Sequence, residues 1–376
     1  MTKVIKQAPF RADIVGSFLR PAGLKAARRQ FEEGKIDRRE LTSVEDKYIR
    51  ELVEKQHAAG LKVATDGEFR RSWWHLDFFW SLTGIDKVAM EQGYLFHGEE
   101  TRAESARLTG RVAFNSAHPF LSHFAFLKSV CSDDMTPRQT IPAPAQCLAE
   151  LERPENSSAI GLVYGEDRDA LIKDLAAAYR QTILAFYELG CRNVQLDDCT
   201  WGMLCDRSFR AKVAEAGGDA DAIAESYLRI NNLAIADLPS DLVLTTHVCR
   251  GNYHSTWASS GGYEPVADVL FGREHVSAYY LEFDTDRAGG FEPLASVAAD
   301  KQVVLGLVTS KDPKLERKED LVRRIHEAAR YIPVERLCLS PQCGFASTEE
   351  GNVLTEDEQW RKIALVQEVA AEVWKG

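Results

Sequence analysis

Short apolar runs alternate along the chain with longer stretches in which apolar residues return every three or four positions. That alternation predicts parallel strands joined by crossover helices. The candidate strands are ADIVGS (12–17), LKVATDG (61–67), RQTIPA (138–143), RNVQLD (192–197), LVLTTHVC (242–249), AYYLEFD (278–284), KQVVLGLV (301–308) and ERLCLSP (335–341). Helical periodicity covers residues 21–33, 40–59, 168–189, 219–236, 264–271, 315–331 and 356–374. Eight such units read as a (β/α)8 barrel.

Two regions interrupt the rhythm. Residues 72–136, after the second strand, are too long for a plain crossover and contain an alternating run of their own, RLTGRVAFN (107–115). They predict an insertion with a hairpin over the mouth of the barrel. Residues 144–167, with Pro144 and Pro154, read as a loop. No shift in composition divides the chain, so residues 1–376 are expected to form one elaborated barrel.

Composition narrows the function. At 376 residues and 45% hydrophobic the chain can bury a large core, and its net charge of -11 argues against a nucleic-acid partner, which would call for clustered Lys and Arg. The first ten residues, MTKVIKQAPF, hold no signal-peptide core, and no run approaches the roughly 18 apolar residues of a membrane span. A cytoplasmic protein is expected, without a membrane partner. Eight cysteines without regular spacing do not make a disulfide framework. Cys131, Cys147, Cys191, Cys199, Cys205 and Cys338 are read as packing residues.

The chemically unusual residues gather at the C-terminal ends of the strands, where barrel enzymes place their reactive groups. These are Gly16-Ser17, Asp66-Gly67-Glu68, Asp197-Asp198, His247 with Cys249, Glu282 with Asp284, and Cys343. Residues two apart on a strand share a face, so His247 and Cys249 form half of a site for a soft divalent metal. Glu282 and Cys343 complete a candidate zinc set of four. A buried Cys is also a common core residue, and Glu282 is equally read as a helix cap or as the partner of Arg287.

THVCRGN (246–252), LEFD (281–284), SPQCGF (340–345), IVGSFLRP (14–21), DGEFRRSWW (66–74) and QLDD (195–198) together resemble the catalytic barrel of cobalamin-independent methionine synthases, and more closely its short single-barrel relatives. The likeness runs from Phe10 to Trp374. It implies a zinc ion on His247, Cys249, Glu282 and Cys343, and an amino-acid thiol held by Val15, Ser17, Glu68 and Asp197, with Glu68 and Asp197 also counted as catalytic. The implied reaction is zinc-dependent S-methyl transfer to homocysteine, giving methionine, with methyltetrahydrofolate or another small molecule as methyl donor. The carried-over set makes chemical sense, because an α-ammonium calls for carboxylates and an α-carboxylate for hydroxyl and N–H donors.

The donor side departs from the family pattern. Where the family has a catalytic His near the seventh strand, this chain reads Val308, Thr309 and Ser310, and the family's pterin-stacking aromatic is missing from TIPAPAQ (140–146). Candidate replacements are Trp73, Trp74, His75 and Asp77 as an aromatic wall with an acid or base, Ser259 to Gly262 as an anion cradle, and Arg250 as an anion clamp. Each has a plainer reading, as packing, a turn or ion pairing. His118 and His123 read as buried, hydrogen-bonded histidines, and Asp198 as an orienting group or a helix cap. Two further readings stand beside methionine formation. One is a zinc-dependent alkyl transferase opening an epoxide with another thiol, and the other is a non-catalytic zinc- or thiol-binding barrel. Ser17, Glu68 and Asp197 favour the amino-acid acceptor.

Overall fold

The computed structural model describes residues 7–375, so Met1 to Lys6 of the N-terminal stretch weighed above lie outside the described residues. Its strands are β1 (Val63–Ala64), β2 (Thr83–Ala89), β3 (Leu95–Phe96), β4 (Glu99–Glu100), β5 (Glu104–Ala113), β6 (Thr136–Pro137), β7 (Gln139–Pro142), β8 (Asn193–Asp198), β9 (Val243–Val248), β10 (Ala278–Glu282), β11 (Gln302–Val308) and β12 (Leu337–Pro341). Strands β7 to β12 form one parallel sheet in sequence order, and β1 pairs in parallel with β6. Bridges from Ala12 to Leu339 and from Ser17 to Gly67 insert residues 12–17 between β12 and β1 and close the ring. The fold is a (β/α)8 barrel. The central staves β8, β9, β10 and β12 are buried at every position, as expected of strands covered by helices on one side and packed against each other on the other.

Four segments differ from their sequence patterns, the first two because side chains take over main-chain hydrogen bonds. Residues 12–17 form bridges and not a continuous strand, since the carbonyls of Ile14, Val15 and Gly16 accept from Arg138 Nη1, Gln195 Nε2 and Thr65 Oγ1. The second stave is only Val63–Ala64, because Gln56 receives the Thr65 N–H at 3.1 Å and donates to its carbonyl at 2.9 Å. The stretch 144–167, expected as a loop, holds the helices Pro144–Leu151 and Pro154–Tyr164. Both prolines open a helix, where a missing N–H costs nothing. The helix expected from Glu264 starts at Ala267.

Residues 72–136 hold the antiparallel pair β2–β5, the small hairpin β3–β4 and the helix Pro119–Val130. His118 opens that helix, accepting the Phe120 N–H on Nδ1 while Nε2 contacts the Phe78 carbonyl at 3.2 Å. Among the described residues no helix is long and apolar enough to cross a membrane.

Inside the barrel, Arg138 ties four staves together. Its guanidinium meets Asp13 at 2.9 and 3.3 Å, the Ile14 carbonyl at 2.6 Å, Asn193 Oδ1 at 2.7 Å and Tyr280 Oη at 2.6 Å, and the side chains of Arg138 and Asp13 are both fully buried. Removing one member of such a pair strands a buried charge, which costs about 3–5 kcal/mol. Arg138→Met is therefore expected to lower the unfolding free energy by about that amount in denaturant titrations. The double variant Asp13→Asn/Arg138→Met should recover part of the loss.

Candidate active site

The parallel register sets the site. Tyr280 of β10 lies opposite His247 of β9, and Asp197 of β8 lies opposite His247 on the other side. Cys249 follows the end of β9, Glu282 ends β10, and Cys343 sits two residues beyond β12. One donor atom from each of His247, Cys249, Glu282 and Cys343 lies within 4.8 Å of all the others, and all four residues are buried. The two sulfurs are 3.7 Å apart. Two thiolates on one tetrahedral zinc, each at about 2.3 Å, would stand about 3.8 Å apart.

The hydrogen bonds around these four fit a metal. His247 Nδ1 lies 3.2 Å from the Tyr280 carbonyl, which assigns the proton to Nδ1. Nε2 is then a lone-pair donor, buried and without a partner among the described residues. A ring held this way from behind is how metal-binding histidines are oriented. Glu282 accepts the Arg250 N–H on Oε1 at 2.8 Å and pairs with Arg287 through Oε2 at 3.2 Å, so the plainer reading of this residue holds as well. Cys249 Sγ accepts the Gly251 N–H at 3.3 Å. Without a metal, the hydrogen bond to Cys249 and then burial push the Cys343 thiol well above its usual range.

Above this cluster opens a cavity of about 510 Å³. His247, Cys249 and Cys343 line it together with Val15, Ser17, Glu68 and Asp197, so the resemblance-derived acceptor set and three of the four metal donors share one space. Ser17 Oγ accepts the Ala346 N–H at 3.3 Å, and a Cβ on Gly344 would sit 1.9 Å from it, so only glycine fits beside this hydroxyl. Glu68 stands at φ 61°, a left-handed conformation rare for residues with a side chain. Its Oε1 receives Thr140 Oγ1 at 3.0 Å and faces Arg71 at 3.2 Å, while Oε2 is buried with no partner. Burial raises the pKa of both Glu68 and Asp197, and the charge of Glu68 raises Asp197 further. Two buried carboxyl groups thus share this lining, and one of them keeps a bare oxygen.

Trp73, Trp74 and His75 line the outer cavity, whereas Asp77 does not act there. Its carboxylate accepts the N–H groups of Ser72 at 3.2 Å and Trp73 at 2.8 Å. Arg250 is no anion clamp: it is buried and spends its guanidinium on Tyr263 Oη at 2.7 Å and the Gly261 carbonyl at 2.6 Å. The run Ser259 to Gly262 is irregular loop, with Ser260 N–H donating to Asp206 at 2.8 Å. Asp198 accepts from Thr200 N–H and Oγ1 and from Asn231, a capping arrangement.

Several lining residues escape the sequence reading. Cys199, read as packing, directly follows β8 and lines the cavity beside Cys249 and Cys343. Its place one residue past the Asp197-Asp198 strand end was the available signal. Tyr94, Glu150 and Arg153 also line the cavity. They come from the insertion and from the stretch expected as a loop, where no periodicity marks them.

Comparisons with known proteins agree with this geometry. Residues 158–365 match the family described as "Cobalamin-independent synthase, Catalytic domain". The uncharacterised Bacillus subtilis protein YxjH is 44% identical over 375 residues, covering 100% of this chain and 97% of its own length. A methionine synthase of Saccharolobus solfataricus is 22% identical over 346 residues, 88% of this chain and 86% of the relative. A solved structure from Listeria monocytogenes, provisionally named a vitamin-B12-independent methionine synthase, superposes with a TM-score of 0.77 at 36% identity, covering 99% of this chain and 100% of that one. Another, a B12-independent methionine synthase of a Shewanella species in complex with selenomethionine, shares the fold with a TM-score of 0.71 at 17% identity, over 96% and 97% of the two chains. The chain belongs to the cobalamin-independent methionine synthase family, whose catalytic barrel it spans.

Proposed function

We propose that this protein is a zinc-dependent methyltransferase that transfers a methyl group to the thiol of homocysteine, giving methionine. The observation that carries the reading is a single cavity where three metal-donor side chains share the lining with two buried carboxyl groups, Asp197 and Glu68, the second with an unpartnered oxygen. Membership of the family and the 36% identity to the Listeria protein support it.

His247, Cys249, Glu282 and Cys343 would hold the zinc. Bound there, zinc supplies the Lewis acidity that keeps a coordinated substrate thiol deprotonated and nucleophilic at neutral pH. The chain's own residues select and aim that thiol. Glu68 and Asp197 take the α-ammonium, whose charge relieves their mutual repulsion, and the Ser17 hydroxyl is placed to donate to the α-carboxylate. Trp73 and Trp74 wall off the outer cavity and limit water at the reacting centre. A thiol bearing an anionic group in place of the ammonium would bring a further negative charge beside two carboxyl groups, which disfavours it.

Purified protein is expected to carry one zinc per chain by elemental analysis, and Cys343→Ser should lose the metal and the activity together. The far-ultraviolet circular dichroism should stay that of the barrel. Retention of stoichiometric zinc by that variant would refute the ligand set. Glu68→Gln should raise the KM for homocysteine by roughly 10- to 100-fold, the range of a lost charge-assisted hydrogen bond, with zinc content unchanged. The reaction itself is tested by following methionine formation from homocysteine with methyltetrahydrofolate, methylcobalamin and S-methylmethionine as separate donors. Transfer to a different thiol, with none to homocysteine, would favour the alkyl-transferase reading. Tight zinc and homocysteine binding without turnover would mark a binding barrel.

A further inference from the structure

A thiolate can take a methyl group from donors of two kinds, which ask different things of the protein. From a tertiary amine, the C–N electron pair stays on a nitrogen that must gain a proton. From an onium centre, a sulfonium or quaternary ammonium, the pair cancels the positive charge and no proton is needed. The end of β11 offers no free acid. Thr309 N–H donates to Glu316 at 2.8 Å, Ser310 N–H to Gln342 at 2.5 Å, and Ser310 Oγ to the Gly344 carbonyl at 3.0 Å.

The outer cavity wall suits a cation. Trp73, Trp74, Tyr94, Phe96 and Tyr253 line it together with Glu150 and Glu155. Among the described residues no lysine lines it, and its arginines are spent. Arg250 is fastened to Tyr263 and Gly261, and Arg153 stands 3.9 Å from Glu150 and 3.6 Å from Glu155, over the Tyr94 ring at 4.6 Å. Two carboxyl groups flanking one guanidinium leave no counter-ion for an anionic ligand. The rings already take cations on their faces, since Arg102 lies over Trp73 at 4.8 Å in the same way. Trp74 packs against His75, with ring centroids 4.5 Å apart, and lines the cavity. Burial lowers His75 to about 3, so its neutral imidazole does not repel a cation on Trp74. The main chain ties this rim to the metal-donor segments. Trp74 N–H donates at 3.0 Å to the carbonyl of Ser347, just beyond Cys343. Phe96 packs on Tyr253 at 5.5 Å and reaches Gly251, just beyond Cys249, where a Cβ would come within 2.9 Å of its ring. The His97 N–H fixes the β3–β4 hairpin there by donating to the Trp257 carbonyl at 2.8 Å.

We propose that the methyl donor is an onium compound, a sulfonium or quaternary ammonium, whose charged centre lies against Trp74 within the aromatic and carboxyl rim of the outer cavity. The inference rests on the methyl-transfer reading above. An onium centre has no N–H to donate, so ring faces and carboxylates are the groups that recognise it. In the step, a bond forms between the acceptor sulfur and the methyl carbon, and the donor's C–S or C–N bond breaks with its electron pair kept by the leaving atom. The leaving group departs as a neutral thioether or tertiary amine. The thiolate's negative charge and the onium's positive charge are consumed together, and no proton moves. The end of β11 is then left without an acid because the reaction calls for none.

The test starts with binding, read by titration calorimetry on zinc-loaded protein with homocysteine present. Choline is expected to bind about tenfold more tightly than 3,3-dimethylbutanol, its uncharged isostere. Trp74→Leu should weaken choline by about 3- to 30-fold, the range of a cation–π contact, and Trp74→Phe, which keeps a ring face, by less. Methionine formation is then followed with trimethylsulfonium and S-methylmethionine as sulfonium donors, tetramethylammonium as the quaternary ammonium, and methyltetrahydrofolate. Turnover is expected with an onium donor and not with the folate. In Trp74→Leu the donor KM should rise by the same factor as the choline affinity falls, with homocysteine KM and zinc content unchanged. Equal affinity of the wild type for choline and its isostere would overturn the assignment whether or not the variants fold. Turnover with the folate and with no onium donor would also overturn it, while the methyltransferase reading survives. Failure of the wild type to methylate any thiol from any donor would defeat that reading first, and the donor role with it.

Discussion

Asp13 and Arg138 meet inside the barrel where its sheet is least continuous. The stave formed by residues 12–17 has bridges in place of a ladder, and three of its carbonyls are satisfied by side chains reaching across from β1's far end, the third stave and β8. The guanidinium of Arg138 therefore does what a row of main-chain hydrogen bonds does elsewhere: it holds the first stave at a fixed height. Val15 and Ser17 belong to that stave and Asp197 to the end of β8, whose Asn193 meets the same guanidinium. The acceptor wall thus inherits its geometry from an ion pair below it. Such pairs add little net stability against an apolar core. Here its role is positional, in a barrel where strand pairing alone would leave the first stave loosely placed.

The fold and the metal cluster were legible from the sequence for the same reason. The staves β9 to β11 are mostly β-branched, aromatic and apolar, and in a closed parallel barrel the C-terminal ends of the strands meet on one face, so HVC, LEF and PQC segments separated by up to 96 positions converge without any local pairing signal. What stayed hidden depended on side-chain hydrogen bonds with no periodicity. Gln56 shortens the second stave, prolines at two helix starts mimic a loop, and Cys199 looks like core filling although it lines the cavity. Tyr94 and Glu150 could not be placed on the cavity wall from sequence, since one lies in an irregular insertion and the other in a stretch whose prolines signalled a break. Arg250, next to a metal-donor cysteine, illustrates the opposite error: a charged residue at a promising position that the fold uses internally, to fasten the turn around Gly261.

Charge organises the cavity as firmly as shape. Glu68, Asp197 and Glu150 are buried carboxyl groups on one lining, and burial raises the pKa of each. Among its cations, Arg71 already faces Glu68 and Arg153 lies over Tyr94. On the proposed reading, such a lining disfavours anionic ligands and favours an ammonium group. The net charge of -11 on the whole chain acts in the same direction at long range.

Glu68 carries its carboxylate on a backbone in the left-handed region, following a glycine at φ 66°. A side chain there costs on the order of 1 kcal/mol relative to glycine, and the buried, half-partnered carboxylate adds its own desolvation cost. Both penalties persist in the empty protein. A replacement by glycine would relax the main chain and remove the buried charge, so this position sets folding robustness against ligand recognition directly. A change toward greater thermal stability at this position would therefore come at the expense of the carboxylate that faces the cavity.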